Sequence, residues 1–331
     1  MHESNLKIDN KDREIIYQLD INSRQPISRI AKKVGLSQQV VNYRLNNLIK
    51  NEIIKCVSLL DLSKIGYFIH KVKFRFKNTN KNKFNEIVEY IKNNDRVWAV
   101  LGVDGLYDLD VSILARNVVE FSDILSEWLY KFEKYIHEKK LIGVILQREY
   151  LNRSYLIKNK KRELDFKILK KQWNETAIDK KDVGILKALA KDSRTFSIDI
   201  ARKLNISAEN VAKRIKQLEK TGVIEKYGIC IDNEKIGQIR YMILLGLNQA
   251  TRKREESFLE FCGRHPKIFY INKICGNWDA EIGLEVQNYY EYHEIISDLK
   301  NYFSDVIKWC NPLIVHKFYK YDSFPMNDLT I

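Results

Sequence analysis

No long uncharged apolar run occurs in the 331 residues of this chain, so a helix able to cross a bilayer, which needs about 20 consecutive apolar residues, is not expected. Closely spaced cysteines are lacking too: Cys56, Cys230, Cys262, Cys275 and Cys310 stand far apart, with no C-x-x-C pair and no histidine at zinc-ligand spacing. That argues against a zinc module or a disulfide framework, and the thiols are read as reduced, in a cytoplasmic protein without a metal site. The opening residues Met1 to Lys7 carry no apolar signal core, so export is not expected.

Charge is what the chain does have. Lys and Arg number 57 against 43 Asp and Glu, a formal net charge of +14. Such an excess suits phosphate, on nucleic acid or an anionic surface, although a lysine-rich composition with no functional patch gives the same count. At this length more than one hydrophobic core is expected.

Self-similarity organises the rest. Ile8-Asp9, Asp12, Ile15, Leu19 and Ser23-Arg24 return 170 positions later as Ile178-Asp179, Asp182, Ile185, Leu189 and Ser193-Arg194. One inserted residue then moves the shift to 171, at which Asp61, Lys64, Ile65 and Gly66 match Asp232, Lys235, Ile236 and Gly237, and Gly105-Leu106-Tyr107-Asp108 matches Gly276-Asn277-Trp278-Asp279. A whole unit is therefore duplicated.

Each unit begins with three short helices. In the first, Asp9 caps a helix carrying Ile15, Ile16 and Leu19 inward, Pro26 opens a second that Gly35 ends, and Ser37 caps a third with Val41, Leu45 and Leu48 inward. The short turn between the second and third, and the β-rich Ile53 to Leu60 after them, make a winged helix-turn-helix. Its outward residues Ser37, Gln38, Gln39, Asn42, Tyr43 and Asn46 suit base edges in a major groove, while Arg44 binds phosphate or pins the helix. The second copy offers Ser207, Ala208, Glu209, Asn210, Lys213, Arg214, Lys216 and Gln217.

After each wing the period changes. His70, Val72, Phe74 and Phe76 alternate with Ile69, Lys71, Lys73 and Arg75, as in a strand with one buried face. A helix, two strands joined at Asp104-Gly105, another helix and a last strand near Ile142 to Tyr150 complete β-α-β-β-α-β, and Tyr241 to Phe318 repeats the order. The fold class is α+β: two winged helix-turn-helix domains (1–61 and 176–232) alternating with two ferredoxin-like βαββαβ domains (62–151 and 233–331), with a basic linker at 152–175 that either contacts DNA or is a solvated tether. Two helices cover only one face of each sheet, so the other face is expected to pair, within the chain or between chains.

These residues resemble the Lrp/AsnC, or feast/famine, regulators. The pattern I-D-x-x-D, S-R, I-A-x-K-x-x-L-S, V-x-x-R-L/I-x-x-L and G-V-I is read as Ile178-Asp179, Asp182, Ser193-Arg194, Ile200-Ala201-Arg202-Lys203, Ile206-Ser207, Val211, Arg214-Ile215, Leu218 and Gly222-Val223-Ile224. The first copy has Glu52 where the family favours Gly. The resemblance implies a transcription regulator with double-stranded DNA as partner, ligand-sensing domains of the RAM type that pair back to back, no bound cofactor, and a small effector, commonly an amino acid, near the sheet interface. It places that effector at Gly105, Tyr107 and Asp108 and at Gly276, Trp278 and Asp279; the residues themselves equally suit ordinary hairpin turns whose Asp satisfies turn amides.

Two other classes share the architecture. Siroheme decarboxylases resemble it but carry an Arg-Arg pair at the wing start and a porphyrin-facing His; here those stretches read Ile54-Lys55-Cys56 and Ile224-Glu225-Lys226, and the histidines lack an evident catalytic partner. No enzyme is expected. An interaction module that lost DNA binding is the third class, which Glu209 supports if it repels phosphate, although a carboxylate there also accepts from cytosine N4.

Overall fold

The computed structural model describes residues 8–150, 152–157, 175–248 and 251–326. The first half runs α1 (Asn10–Ile21), α2 (Ile27–Val34), α3 (Gln38–Lys50), β1 (Ile54–Leu60), β2 (Phe68–Phe76), α4 (Lys81–Lys92), β3 (Val97–Asp104), β4 (Leu109–Ala115), α5 (Val118–Phe132) and β5 (Ile136–Tyr150). The second half repeats the order as α6 (Lys180–Lys191), α7 (Ser197–Leu204), α8 (Ala208–Thr221), β6 (Ile224–Ile231), β7 (Ile239–Leu247), α9 (Arg252–Arg264), β8 (Ile268–Ile274), β9 (Ala280–Val286), α10 (Tyr289–Tyr302) and β10 (Ile307–Tyr321).

Capping chemistry sets the helix ends. Asp9 and Asp12 exchange side-chain and backbone hydrogen bonds as a capping box on α1, and Asp179 and Asp182 do the same on α6. Gly35 ends α2 in the left-handed region at φ +68°. Glu52 after α3 takes that region as well, at φ +53°, where its duplicate is Gly222. The departure from the family pattern thus leaves the turn intact, at the cost of placing a side chain where one is disfavoured.

The two halves are interlocked. β1 pairs antiparallel with β6, and eight strands close a barrel in the order β10-β3-β4-β2-β5-β8-β9-β7. Each half contributes a ferredoxin-like sheet, β3-β4-β2-β5 or β8-β9-β7-β10, and the long last strand of each bends on to pair with the other sheet. β10 lies on β7 over Ile307 to Val315 and on β3 over Ile314 to Tyr321. The sheets therefore pair within one chain. Gly143 in β5, at φ +71°, passes so close to the Cys275 carbonyl that a Cβ there would stand 1.7 Å from its oxygen.

Two expectations need correcting. The alternation in β2 suggested a polar, solvent-side face, yet Lys71 and Lys73 are buried because that face is the barrel interior, while His70, on the other face, stacks on Phe121 of α5. The linker also begins later than expected. Residues 152–157 are packed, with Arg153, Ser154 and Leu156 buried, and Leu156 joins the core of the first helix-turn-helix. Its duplicate segment places Phe324 and Met326 in the core of the second, away from the sheet domain to which they were assigned. The rest of that linker, 158–174, lies outside the described residues.

Candidate nucleic-acid interface

α3 packs through Val41, Leu45 and Leu48 and α8 through Val211, Ile215 and Leu218, all buried. That fixes which faces look outward. Ser37, Gln38, Gln39, Asn42, Tyr43 and Asn46 are exposed on the first, and Ser207, Glu209, Asn210, Lys213, Lys216 and Gln217 on the second, with Ala208 half-buried. Ser37 and Ser207 also cap their helices, accepting from the amides of Val40 and Asn210. Tyr43 is 68% exposed. The two faces differ in kind: the first carries amides and a phenol, the second two lysines and a carboxylate.

Arg44 and Arg214 are half-buried and do not join these faces freely. Arg44 donates to Asp9 and Asp12 at 2.8 Å each, and Arg214 pairs with Asp179 at 2.9 Å and Asp182 at 2.8 Å. Of the two roles open to Arg44, pinning the reading helix to the capping box of the first helix is the one its geometry serves. The Asp182 amide, opposed by burial and helped by Arg214, holds the Asp179 carboxyl below its usual value. At Asp9 burial works against ionisation, but the Asp12 amide and Arg44 outweigh it.

The two helix-turn-helix modules are joined to each other through their Ser-Arg motifs. Ser23 Oγ and Ser193 Oγ meet at 2.6 Å in a buried contact. Arg24 donates to the carbonyls of Ser193 and Thr195 at 2.5 and 2.9 Å, and Arg194 answers with the carbonyls of Ser23 and Gln25 at 2.5 and 3.1 Å. Wing strands cross over as well: Ile229 and Ile231 of β6 complete the first helical core and Leu60 of β1 the second. Neither helix-turn-helix closes its core without the other half.

A winged helix-turn-helix DNA-binding family model matches residues 8–55 and 178–225. The transcriptional regulator LrpA of Pyrococcus horikoshii is 50% identical over 143 residues, 42% of this chain and 98% of that protein. The chain belongs to the Lrp/AsnC family. LrpC of Bacillus subtilis, another Lrp/AsnC regulator, is 31% identical over 100 residues, 30% of this chain and 67% of its own length. A whole Lrp/AsnC relative such as LrpA thus corresponds to about half of this tandem chain. The solved structure of the siroheme decarboxylase NirDL follows nearly the full length, at TM-score 0.61 and 11% identity, covering 95% of this chain and 96% of its own. That likeness is one of fold.

The family motif expected to hold an effector is tied into the scaffold here. Tyr107 and Trp278 are buried and meet edge to face at 6.2 Å in the barrel core. Asp108 accepts from the Phe76 amide at 2.6 Å and Asp279 from the Leu247 amide at 2.7 Å, so each carboxylate fastens its turn to the first strand of its sheet. Gly105 and Gly276 face backbone of the opposite half, Pro312 and Ile142 respectively, each too close to admit a Cβ comfortably.

Sequence reasoning missed two buried charged clusters inside this Lrp/AsnC scaffold. In the barrel, Lys71 reaches Glu281 at 2.8 Å and Asp110 at 3.3 Å, Lys73 bonds Asp110, and Tyr270 and Asn272 donate to Glu281. Burial pulls the Lys73 ammonium well below its usual range, whereas for Glu281 the two lysines outweigh burial and keep it ionised. At the mouth, Arg153 binds Asp20 at 2.6 Å and Glu285 at 2.7 Å, joined by Arg240 and the Tyr155 hydroxyl on Glu285. Burial opposes ionisation of Glu285, but the two guanidinia bring it down to about 2. A signal was present in the comparison of the copies: Asp20, Arg153, Arg240 and Glu285 stand where the other half has Ala190, Phe324, Ile69 and Leu114.

Proposed function

We propose that this tandem Lrp/AsnC protein is a sequence-specific transcription regulator that engages one DNA duplex with both reading helices, its halves acting as a covalent pseudo-dimer. The observation that carries this is the pair of unlike exposed faces on α3 and α8, in two modules joined through their Ser-Arg motifs. Asn42 and the neighbouring glutamines suit adenine edges and Tyr43 a thymine methyl; Lys213 and Lys216 suit guanine or phosphate, and Glu209 accepts from cytosine N4. The preferred site is then asymmetric, whereas a homodimer selects a near-palindrome. An amino-acid effector, as the family pattern implies, would act by changing the spacing of the two modules.

Site selection from random duplexes with the purified full chain, with and without amino acids, tests this. Unlike half-sites and steep loss of affinity with salt are expected. Perfect palindromes alone, or binding indifferent to salt, would refute it. The whole-length likeness to NirDL favours a second reading, a tetrapyrrole-acting enzyme, against which stand the wing starts Ile54-Lys55-Cys56 and Ile224-Glu225-Lys226 without an arginine pair. Absorbance titration with siroheme separates the two: a saturable spectral change supports the enzyme, an unchanged spectrum the regulator.

A further inference from the structure

Between the sheets, two neighbouring cavities of about 110 and 100 Å³ share Arg240, Phe269, Phe318 and Tyr321 as common walls. The inner one is bounded by Trp98, Ala99, Tyr270 and Asn272, the outer one by Arg153 and the wing strand β6. Neither space touches the Gly-x-aromatic-Asp turns.

Three observations define what fits. The first is hydrogen bonding: Asn272 Oδ1 and Arg240 Nε are buried without a partner, an acceptor and a donor on the walls of one cavity. An unmade bond of this kind costs about 1–3 kcal/mol, which a ligand supplying both groups recovers. Shape is the second. Phe269 and Phe318 hold the Arg240 guanidinium between them at 4.8 and 4.7 Å, and an engineered cavity of about 150 Å³ takes benzene, so a single ring is the natural size. Charge is the third: Lys71 and Lys73 face Asp110 and Glu281, and Arg153 and Arg240 face Asp20 and Glu285. Each cluster holds as many basic as acidic side chains, already paired with one another, so a ligand with net charge would be buried without a counterion of its own.

We propose that this cavity is a binding site for a small aromatic molecule of zero net charge that donates to Asn272 and accepts from Arg240, as a single ring bearing a primary amide or a pyrimidine base does. There is one site per chain, because the inner cavity straddles the two copies: Leu101, Ala99 and Met242, which stand for Asn272, Tyr270 and Lys71, line the same space, so its two sides are unlike. The proposal is independent of DNA binding, so each can fail while the other stands.

Calorimetric titration and thermal unfolding of the full chain with nicotinamide and cytosine test it, with benzoate and benzylamine as charged controls. The expected result is saturable binding at one molecule per chain, a raised Tm, and binding of both charged controls weaker by at least about 10-fold. Asn272→Leu, which installs the residue of the other copy, weakens binding by about 10-fold, and Ala99→Phe, which fills the inner cavity, abolishes it. Should Asn272→Leu fail to fold, titration of Ala99→Phe decides the question. No saturable binding of either probe, two sites per chain, or affinity unchanged in the variants overturns the proposal, whatever the same proteins do with DNA.

Discussion

Replacing Arg153 alone by Leu would leave Asp20 without its guanidinium and Glu285 with half of its counter-charge, both carboxylates buried. Removing one partner of a buried ion pair costs about 3–5 kcal/mol, enough to lower a urea midpoint by roughly 1 M or more. The duplication supplies the complementary variant. Asp20→Ala, Arg153→Phe, Arg240→Ile and Glu285→Leu together install what the other half uses at 190, 324, 69 and 114. Because apolar replacement of a whole buried cluster is often neutral or stabilising, the fourfold variant is expected within about 2 kcal/mol of the parent or above it. Acid sharpens the contrast. The depressed Glu285 carboxyl, ordinarily near 4.5 and held here at about 2, contributes about 3 kcal/mol. That contribution is present above pH 4.5 and lost as pH falls through 2, so the parent loses stability over that window more steeply than the fourfold variant. Urea unfolding at pH 7 and at steps down to pH 2 is the assay. An Arg153→Leu protein within 1 kcal/mol of the parent, or a fourfold variant as weak as the single one, would refute the reasoning.

Other expectations are simpler. Glu52→Gly removes a side chain from the left-handed region at φ +53° and should stabilise by about 1 kcal/mol, net of the added freedom of the unfolded chain, as read by thermal unfolding. Gly143→Ala places a methyl against the Cys275 carbonyl and should cost about 3 kcal/mol or more, or prevent barrel closure, visible as lost near-UV dichroism. In DNA binding, Arg44→Ala should lower stability by about 1 kcal/mol and leave the salt slope nearly unchanged, since its charge is engaged with Asp9 and Asp12. Asn42→Ala, by contrast, should leave stability alone and relax preference at one half-site by about 1–3 kcal/mol.

Most of the architecture was legible because it is written locally. Caps at Asp9, Ser37, Asp179 and Ser207, the stop at Gly35 and the spacing of Val41, Leu45 and Leu48 depend on neighbours in the chain, and the repeat showed each reading twice. What escaped depends on the partner half. Lys71 and Lys73 alternate with apolar residues as solvent-facing side chains do, and only the closing of a second sheet over them turns that face inward. β5 also starts at Ile136, ahead of the stretch near Ile142 to Tyr150 that its own composition marks, over a charged segment that pairs with β2. The effector motif was ambiguous for another reason: an Asp after a hairpin turn looks the same whether it awaits a ligand or holds the Phe76 or Leu247 amide. Arg153, Asp20 and Glu285 come from three distant segments, and no window of sequence contains them together.

The barrel has a consequence for how this protein behaves among its kin. Every seam between its sheets is already sewn by strands of one polypeptide, so among the described residues there is no vacant berth into which a subunit from a paralogue could be exchanged. Dilution would not separate the two sheets and mixing would not exchange them, and a lesion in one half has no healthy twin to mask it. One chain thus carries one fixed pairing of two unlike helix-turn-helix halves, whatever the relative abundance of its kin.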